Sequence, residues 1–330
     1  MPDSRDQEAC AGDGQGILGF FEPGGALALL LPGFESRSQQ LRMADAVSGV
    51  LEDGGLLLVE AGTGVGKSLA YGLPAACKAL SGRERVVIST GTINLQEQLV
   101  AKDLPLIQRA LGRELSFELV KGRKNYLCLR RLHARIRQRL LVEDELSATL
   151  DILADWAEEA REGSRSELEA PLPEGLWNEL CSDADACLHR RCPHRTACFF
   201  AQARRRAEEA QILVVNHHLL CSDLGVRRAL DASGPRAVLP SFHHLIVDEA
   251  HELEAVASRF FGSQAGADSL GRTLGRLAGR QARAGLLGCM GSQAPKDVEE
   301  VAASCQAAFD ALAHWSGGQA KSAGDVLRFT

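Results

Sequence analysis

Between Leu56 and Leu69 the chain reads LLLVEAGTGVGKSL, a short apolar run, a glycine-rich loop and then a Lys-Ser pair. Glycines at 62, 64 and 66 let the backbone curl until its N–H groups point inward at an anion. Lys67 supplies an ammonium for the β- and γ-phosphates of a nucleotide. Ser68 supplies a hydroxyl for the magnesium that bridges them, and the helix they open adds its positive end. Ala61, Gly62, Thr63, Gly64, Val65, Gly66, Lys67 and Ser68 are therefore expected to grip a nucleoside triphosphate, although the strict pattern starts with Gly where this chain has Ala61. A second acidic element follows far downstream, where the apolar stretch Leu245 to Val247 runs into Asp248-Glu249-Ala250-His251. Asp248 suits magnesium held through water, and Glu249 suits the orientation and activation of an attacking water. Alone, such an acidic pair reads equally well as a helix cap; beside Lys67 it reads as the other half of an NTPase site.

A different chemistry sits between these two elements. Cys187, Cys192 and Cys198 are spaced C-x4-C-x5-C, wider than the C-x2–4-C pairs of structural zinc. Wider loops of thiolates suit an iron–sulfur cubane, which is larger than one ion. Zinc stays open because His189 and His194 lie among the cysteines, and spacing leaves the fourth ligand as either Cys128 or Cys181. Charge is segregated around them. Residues 121–140 carry eight Lys and Arg and no acid, and 186–206 carry six Arg and no acid. Residues 141–185 hold fourteen acids against two arginines. A solvated helix face is the ordinary fate of a charge run. Segregation this sharp favours a positive surface for a nucleic-acid backbone, with Tyr126 available to stack on a base.

The elements that must position these groups are legible as an alternation. A helical spacing over Arg37 to Leu51 precedes the phosphate loop, whose own run Leu56 to Glu60 is expected to be a short buried strand. Strands follow at Arg85 to Thr90 and Phe117 to Val120, with helices at Ile93 to Lys102 and from Pro105 to Ala110 between them. Strand signals return at Gln211 to Val215 and Leu245 to Val247. The expected fold is α/β, a parallel sheet with helices on both faces, interrupted by an inserted subdomain. The 330 residues are 45% hydrophobic with a net charge of −6, as a globular chain of about two domains would be. The run Ala26 to Leu31 is too short to span a membrane, and Met1 to Gly16 reads as a loose tail without an export signal. Ten cysteines without such a signal suit a reducing compartment, so a cytoplasmic protein is expected.

Together these segments resemble the DinG/YoaA group of the XPD-like, iron–sulfur superfamily 2 helicases, from Pro32-Gly33-Phe34 to the Asp-Glu-Ala-His box. The opening Gly-Phe-Phe-Glu-Pro-Gly-Gly leans toward the YoaA side. The resemblance makes Ala61 ordinary and casts Arg37 and Gln40 as purine contacts. It likens Ser89-Thr90-Gly91-Thr92 and Leu95-Gln96-Glu97-Gln98 to a DNA-backbone motif, which implicates Thr90 and Gln96. It likens Lys121-Gly122-Arg123-Lys124-Asn125-Tyr126-Leu127-Cys128 to the segment that brings the first cluster ligand, which adds Lys121, Arg123 and Tyr126 as DNA contacts. It implies a 4Fe–4S cluster on Cys128, Cys187, Cys192 and Cys198, with Cys181 a bystander. Lys67, Asp248, Glu249 and His251 would be the catalytic set, and ATP with magnesium the cofactors. Val214 to Leu220 (VVNHHLL) also matches a family segment.

The domain plan so implied is a tail over 1–31 and a RecA-like motor over 32–120 and 207–261. An iron–sulfur insertion would occupy 121–206 and the start of a helical arch 262–330, with no second motor domain. Two look-alike motifs, Ser147-Ala148-Thr149 and Gly279-Arg280-x-x-Arg283, stand in the wrong context to belong to it. The implied activity is ATP-driven 5′→3′ movement on single-stranded DNA with opening of duplex junctions in repair or replication. The implied molecule is a monomer that meets replication or repair proteins and no membrane. With the second motor missing, slow turnover is expected. The alternative is a non-motor iron–sulfur module that binds DNA and uses its nucleotide site as a switch.

Overall fold

A computed structural model describes residues 16–62, 64–82, 84–139, 147–229, 238–262, 300–308 and 310–311. Thr63, the look-alike motif Gly279-Arg280-x-x-Arg283 and most of the expected arch fall outside them. The chain divides into two units, Met1–Phe260 and Phe261–Thr330. Of the second, only short helical stretches at 300–308 and 310–311 are described.

The first unit is built on four parallel strands: β1 (Val86–Thr90), β2 (Phe117–Leu119), β3 (Ile212–Asn216) and β4 (His244–Val247), in the order β2-β3-β1-β4. Val86 pairs with both Ile212 and His244, so β1 lies between β3 and β4 in register. A strand enclosed on both faces reads as a continuous apolar run rather than an alternating one, and all five residues of β1 are buried. Successive side chains still point to opposite faces. Val86 and Ile88 join Ile212 and Val214 in one core, against the helices α2 (Ser38–Asp53), α3 (Lys67–Gly82) and α5 (Leu104–Leu111). Val87, Leu213 and Val215 face the other core, with Ala207 of α9 (Phe199–Glu209) and Leu219 and Leu220 of α10 (His217–Ala229). This is the expected architecture of helices on both faces of a parallel sheet.

Three local expectations are corrected. Residues 17–30 are not a tail: a helical turn at Ile17–Phe21 and the short α1 (Ala26–Leu30) place Phe21 and Leu27 in the first core with no exposed surface. Their aromatic and leucine side chains are worth about 1.5–3 kcal/mol each when buried, which explains why the segment docks. The helix after β1 does not stop before Pro105: α4 (Ile93–Gln98) runs through a π-helical turn at Leu99–Asp103 into α5. Pro105, which cannot donate to the helix, follows closely on that π-helical turn. Finally, Leu56 to Glu60 is extended but joins no ladder, with Leu56 96% and Leu58 89% exposed. The apolar run has strand propensity, but pairing needs a neighbouring edge and a cover. Among the described residues β4 pairs with β1 alone, and Leu245 stands 41% exposed.

The interrupting segment has a core of its own, in which Tyr126, Leu132, Leu150, Leu153, Trp177 and Phe199 meet. It draws on α6 (Leu129–Arg139), α7 (Ser147–Glu159), α8 (Glu174–Leu180) and the start of α9. Antiparallel bridges Tyr126–Ser164 and Leu127–Cys181 tie its entry to its interior. The boundary expected at 206 falls inside α9, whose first turns serve this core and whose last turn serves the sheet.

Candidate functional site

The phosphate loop lies at the start of α3, where Gly64 (φ 80°) and Gly66 (φ 82°) take left-handed backbone that side-chain-bearing residues avoid. The loop is braced from α2. Gln40, buried, donates from Nε2 to the Gly66 carbonyl at 3.0 Å, and Arg37 donates to the Gly64 carbonyl. A Cβ at Gly66 would overlap the Gln40 amide. The two residues that the resemblance casts as purine contacts thus brace the loop's backbone.

At the carboxyl end of β4 the acidic box comes within reach of the loop. Lys67 Nζ donates to Glu249 Oε1 at 2.9 Å across 182 positions of sequence, and both side chains are largely shielded. The hydrogen bond to Glu249 raises the Lys67 pKa, and the same bond holds the Glu249 carboxyl below its ordinary range. Glu249 adopts φ 51°, a left-handed backbone uncommon for a side-chain-bearing residue and a mark of local strain at a site. His251 Nδ1 approaches Glu249 Oε2 at 3.5 Å from an exposed position.

Asp248 is held by a residue that the sequence did not single out. Tyr71, on the second turn of α3 and 2% exposed, donates its hydroxyl to Asp248 Oδ2 at 3.1 Å. Burial, with the Asp248 charge behind it, pushes the Tyr71 hydroxyl well above its ordinary pKa, so it stays a donor at every working pH. Burial raises the carboxyl pKa of Asp103, the last residue of the π-helical turn, and Ser68 beside it works in the other direction. The signal was present as a tyrosine four residues after Lys67, one helical turn on, hence on the same face.

Beside the acidic box, β1 ends in the segment likened to a DNA motif. Thr90 and Gln96 are both buried. Thr90 Oγ1 donates to the Thr92 carbonyl, and Gln96 sits 3% exposed under α4. Neither side chain reaches the surface. The exposed residues there are Thr92, whose Oγ1 caps α4 by accepting from Leu95 N at 3.3 Å, with Ile93, Asn94, Glu97 and Gln98.

The cysteines converge as far as their spacing allows. Cys128, Cys187, Cys192 and Cys198 all line one cavity of about 500 Å³, and Cys181 does not. Cys181 is buried in the apolar core beside it and donates weakly to the Asn178 carbonyl. Burial raises the Cys198 thiol pKa, and the nearby charges of the other three add to it. The wall is cationic, with Arg123, Arg130, Arg131 and Arg195 among its residues. Among the described residues no three His, Cys, Asp or Glu side chains close around one point as a single ion requires. His194 instead faces His133, ring nitrogens 3.4 Å apart. Four thiols are a donor set shared by tetrahedral zinc and by iron–sulfur clusters, and their spread around a roomy cavity is compatible with the larger group.

Two further residues expected at DNA are engaged within the protein. Tyr126 is 2% exposed, its ring edge-on to Phe200 at 5.9 Å and its hydroxyl pushed up to about 12 by burial. It has no free face for a base. Lys121 spends its ammonium on Ser164, Ser166 and Glu162. Arg123 alone of the set borders open space, stacked 4.0 Å over Phe200 on the cavity wall.

Residues 38–163 match the DEAD/DEAH box helicase family. The chain is 38% identical over 247 residues to the "ATP-dependent DNA helicase YoaA" of Haemophilus influenzae, covering 74% of this chain and 37% of that protein. It is 39% identical over 276 residues to the "ATP-dependent helicase DinG" of Mycobacterium tuberculosis, covering 78% and 40%. A third relative, "3'-5' exonuclease DinG" of Bacillus subtilis, is 32% identical over 257 residues, covering 76% and 26%. The chain thus spans less than half the length of these relatives. No helix among the described residues is long and apolar enough to cross a membrane.

Proposed function

We propose that this chain, which carries a DEAD/DEAH box helicase domain and has homologues named YoaA and DinG, is the nucleotide-binding and DNA-engaging part of an ATP-dependent DNA helicase. The observation that carries the reading is the meeting of Lys67 with Glu249 and of Tyr71 with Asp248, which brings the two halves of an NTPase site together. ATP is the substrate on the loop of residues 61–68. Lys67 exchanges Glu249 for the terminal phosphates, whose charge exceeds that of one carboxylate. Losing Lys67 relieves what depresses the Glu249 pKa, so nucleotide binding itself makes Glu249 a better base for the attacking water. Asp248, aimed by Tyr71, and Ser68 are the residues that would hold magnesium. Magnesium bound there would neutralise charge on the bridged phosphates.

Cys128, Cys187, Cys192 and Cys198 are the residues that would hold a 4Fe–4S cluster. Such a group would supply a cross-link between the entry of the insertion and the start of α9, bracing the cationic wall against single-stranded DNA. Movement in the 5′→3′ direction, junction opening and encounters with replication or repair proteins rest on the resemblance alone. The domain plan, with a motor body interrupted by a cluster-bearing insertion, is supported by the separate apolar core of residues 126–203. The test is ATP binding and hydrolysis by the purified chain with and without oligo(dT), repeated on Lys67→Ala. Loss of nucleotide binding in that variant is the expected result; unchanged binding would remove the reading.

A further inference from the structure

Arg85, at the foot of β1, places one guanidinium on three carbonyls that belong to two different parts of the chain. Nη2 donates to Glu208 O at 2.6 Å and Nε to Ala210 O at 2.8 Å, both at the carboxyl end of α9. Nη1 donates to Ser241 O at 2.7 Å, in the segment that leads into β4. The backbone repeats the second link: His243 N donates to Arg85 O at 2.9 Å, and Arg85 N donates to His243 Nδ1 at 3.2 Å. A cation suits the last carbonyls of a helix, where the dipole is negative. A planar fork with five N–H groups serves several acceptors at once.

The two partners lead to different sites. α9 has Cys198, a residue of the cysteine cavity, as its N-cap, and its 11 residues span about 16 Å. Its first turns pack in the core of the insertion, and Ala207 and Ala210 pack against the sheet. Residues 239–243 feed β4, a strand of four residues that runs into the acidic box. Among the described residues β4 pairs with β1 alone, so its position depends more on its root than that of a strand with two neighbours. Arg227 ties that root to α10 through the carbonyls of Leu239 and Pro240, at 3.0 and 3.2 Å. Arg85 ties it to α9.

We infer that Arg85 is a positioning residue that couples the cysteine cavity to the nucleotide face: it fastens the carboxyl end of α9 to the root of β4, so that a change at Cys198 reaches the acidic box. This rests on the readings of the four cysteines as cluster ligands and of Lys67 with Glu249 as the nucleotide site. A helix is stiff along its axis, and a strand with one unpaired edge yields at its root, so a displacement at one end of this train is felt at the other. By linkage the coupling runs both ways. A second anchor of α9, Arg206 Nε on Glu118 Oε1 at 2.9 Å, leads instead to β2 at the opposite edge of the sheet and supplies an internal comparison.

The test is a double-mutant cycle on the full chain, read as magnesium–ATP affinity by titration calorimetry and as amide exchange across residues 239–249. In the wild-type background Cys198→Ser is expected to weaken magnesium–ATP binding about fivefold and to speed exchange in that segment. In Arg85→Ala, and in Arg85→Lys, whose point charge cannot span three carbonyls, the same cysteine change should move affinity by less than about 1.5-fold. In Arg206→Ala, which loosens α9 without touching β4, the effect of Cys198→Ser should persist. A cysteine effect of equal size with and without Arg85, or one that Arg206→Ala abolishes as well, would overturn the inference. If Cys198→Ser yields no soluble protein, chelator-stripped wild type and chelator-stripped Arg85→Ala take its place under the same criteria. Lys67→Ala and an iron assay separate the failures: unchanged ATP binding in Lys67→Ala, or a wild-type chain without iron, removes the functional reading and this inference with it. Iron present and ATP binding lost in Lys67→Ala, beside a flat Cys198→Ser series, sinks this inference alone.

Discussion

The nucleotide face and the cysteine cavity solve opposite electrostatic problems. On the nucleotide face every charge has an internal answer: Lys67 is met by Glu249, Asp248 by Tyr71, and the loop carbonyls by Arg37 and Gln40. Ligand binding there is an exchange of partners, and the protein scaffold stands without it. Around the cavity, four thiols and a wall of arginines face one another with few acids between. There a bound cluster would itself close the structure, because binding energy at such a site is folding energy. One region is built to release what it holds, the other to keep it.

The largest test of that contrast is Cys128→Ser set against Cys181→Ser. The first is expected to abolish iron and sulfide content and to open residues 121–206 to proteolysis; the second should leave both intact. Equal bleaching would erase the distinction between cavity and core cysteines. Next comes the nucleotide face, where Lys67→Ala should weaken ATP binding by tenfold or more (about 1.4 kcal/mol) yet leave iron content unchanged. Titration calorimetry beside an iron assay checks both halves. A smaller effect is expected for Tyr71→Phe. Loss of one buried hydrogen bond to a charged group costs about 1–3 kcal/mol in stability, and the magnesium needed for half-maximal ATP binding should rise. An unchanged magnesium requirement would show that Asp248 is aimed by something else.

The pH dependence is smaller again. Glu249 is depressed and Lys67 raised, so their pair stabilises the fold above the ordinary carboxylate range. That contribution fades as pH falls through the lowered Glu249 value and, at the other end, as pH rises through the raised Lys67 value. It is about 1 kcal/mol for a partly shielded pair, read as melting temperature against pH in wild type and Glu249→Gln. Smallest of all, Tyr126→Phe should leave oligo(dT) affinity unchanged, whereas Arg123→Ala should weaken it a few-fold and flatten its salt dependence. A stacking loss in the tyrosine variant would reopen the face that burial closes.

Most of the fold was legible because its signals are local. The strands at 86–90 and 212–216 are short runs rich in β-branched residues, a length and composition that favour a buried strand over a helix. The glycine loop, the Lys-Ser pair and the acidic box announce themselves by residue type. What the sequence does not carry is exposure. Thr90, Gln96, Lys121 and Tyr126 sit in segments that resemble DNA-contacting ones, yet Gln96 and Tyr126 lie inside cores and Lys121 is consumed by two serines and a glutamate. Leu56 and Leu58 fail in the other direction, apolar yet bare. Tyr71 and Arg85 were passed over because their partners, Asp248 for the one and Glu208, Ala210 and Ser241 for the other, lie far away in sequence.

The sequence by itself determined which groups are present and what each can do: an ammonium beside glycines, paired carboxylates after a strand, thiols spaced for something larger than one ion. Those are properties of covalent chemistry and short-range backbone geometry, and they survive without a fold. Only the tertiary structure decided which groups meet and which face water, that Lys67 rests on Glu249 and Tyr126 on Phe200. Burial and pairing depend on what packs from the far side of the sheet, and no window of neighbouring residues contains that information.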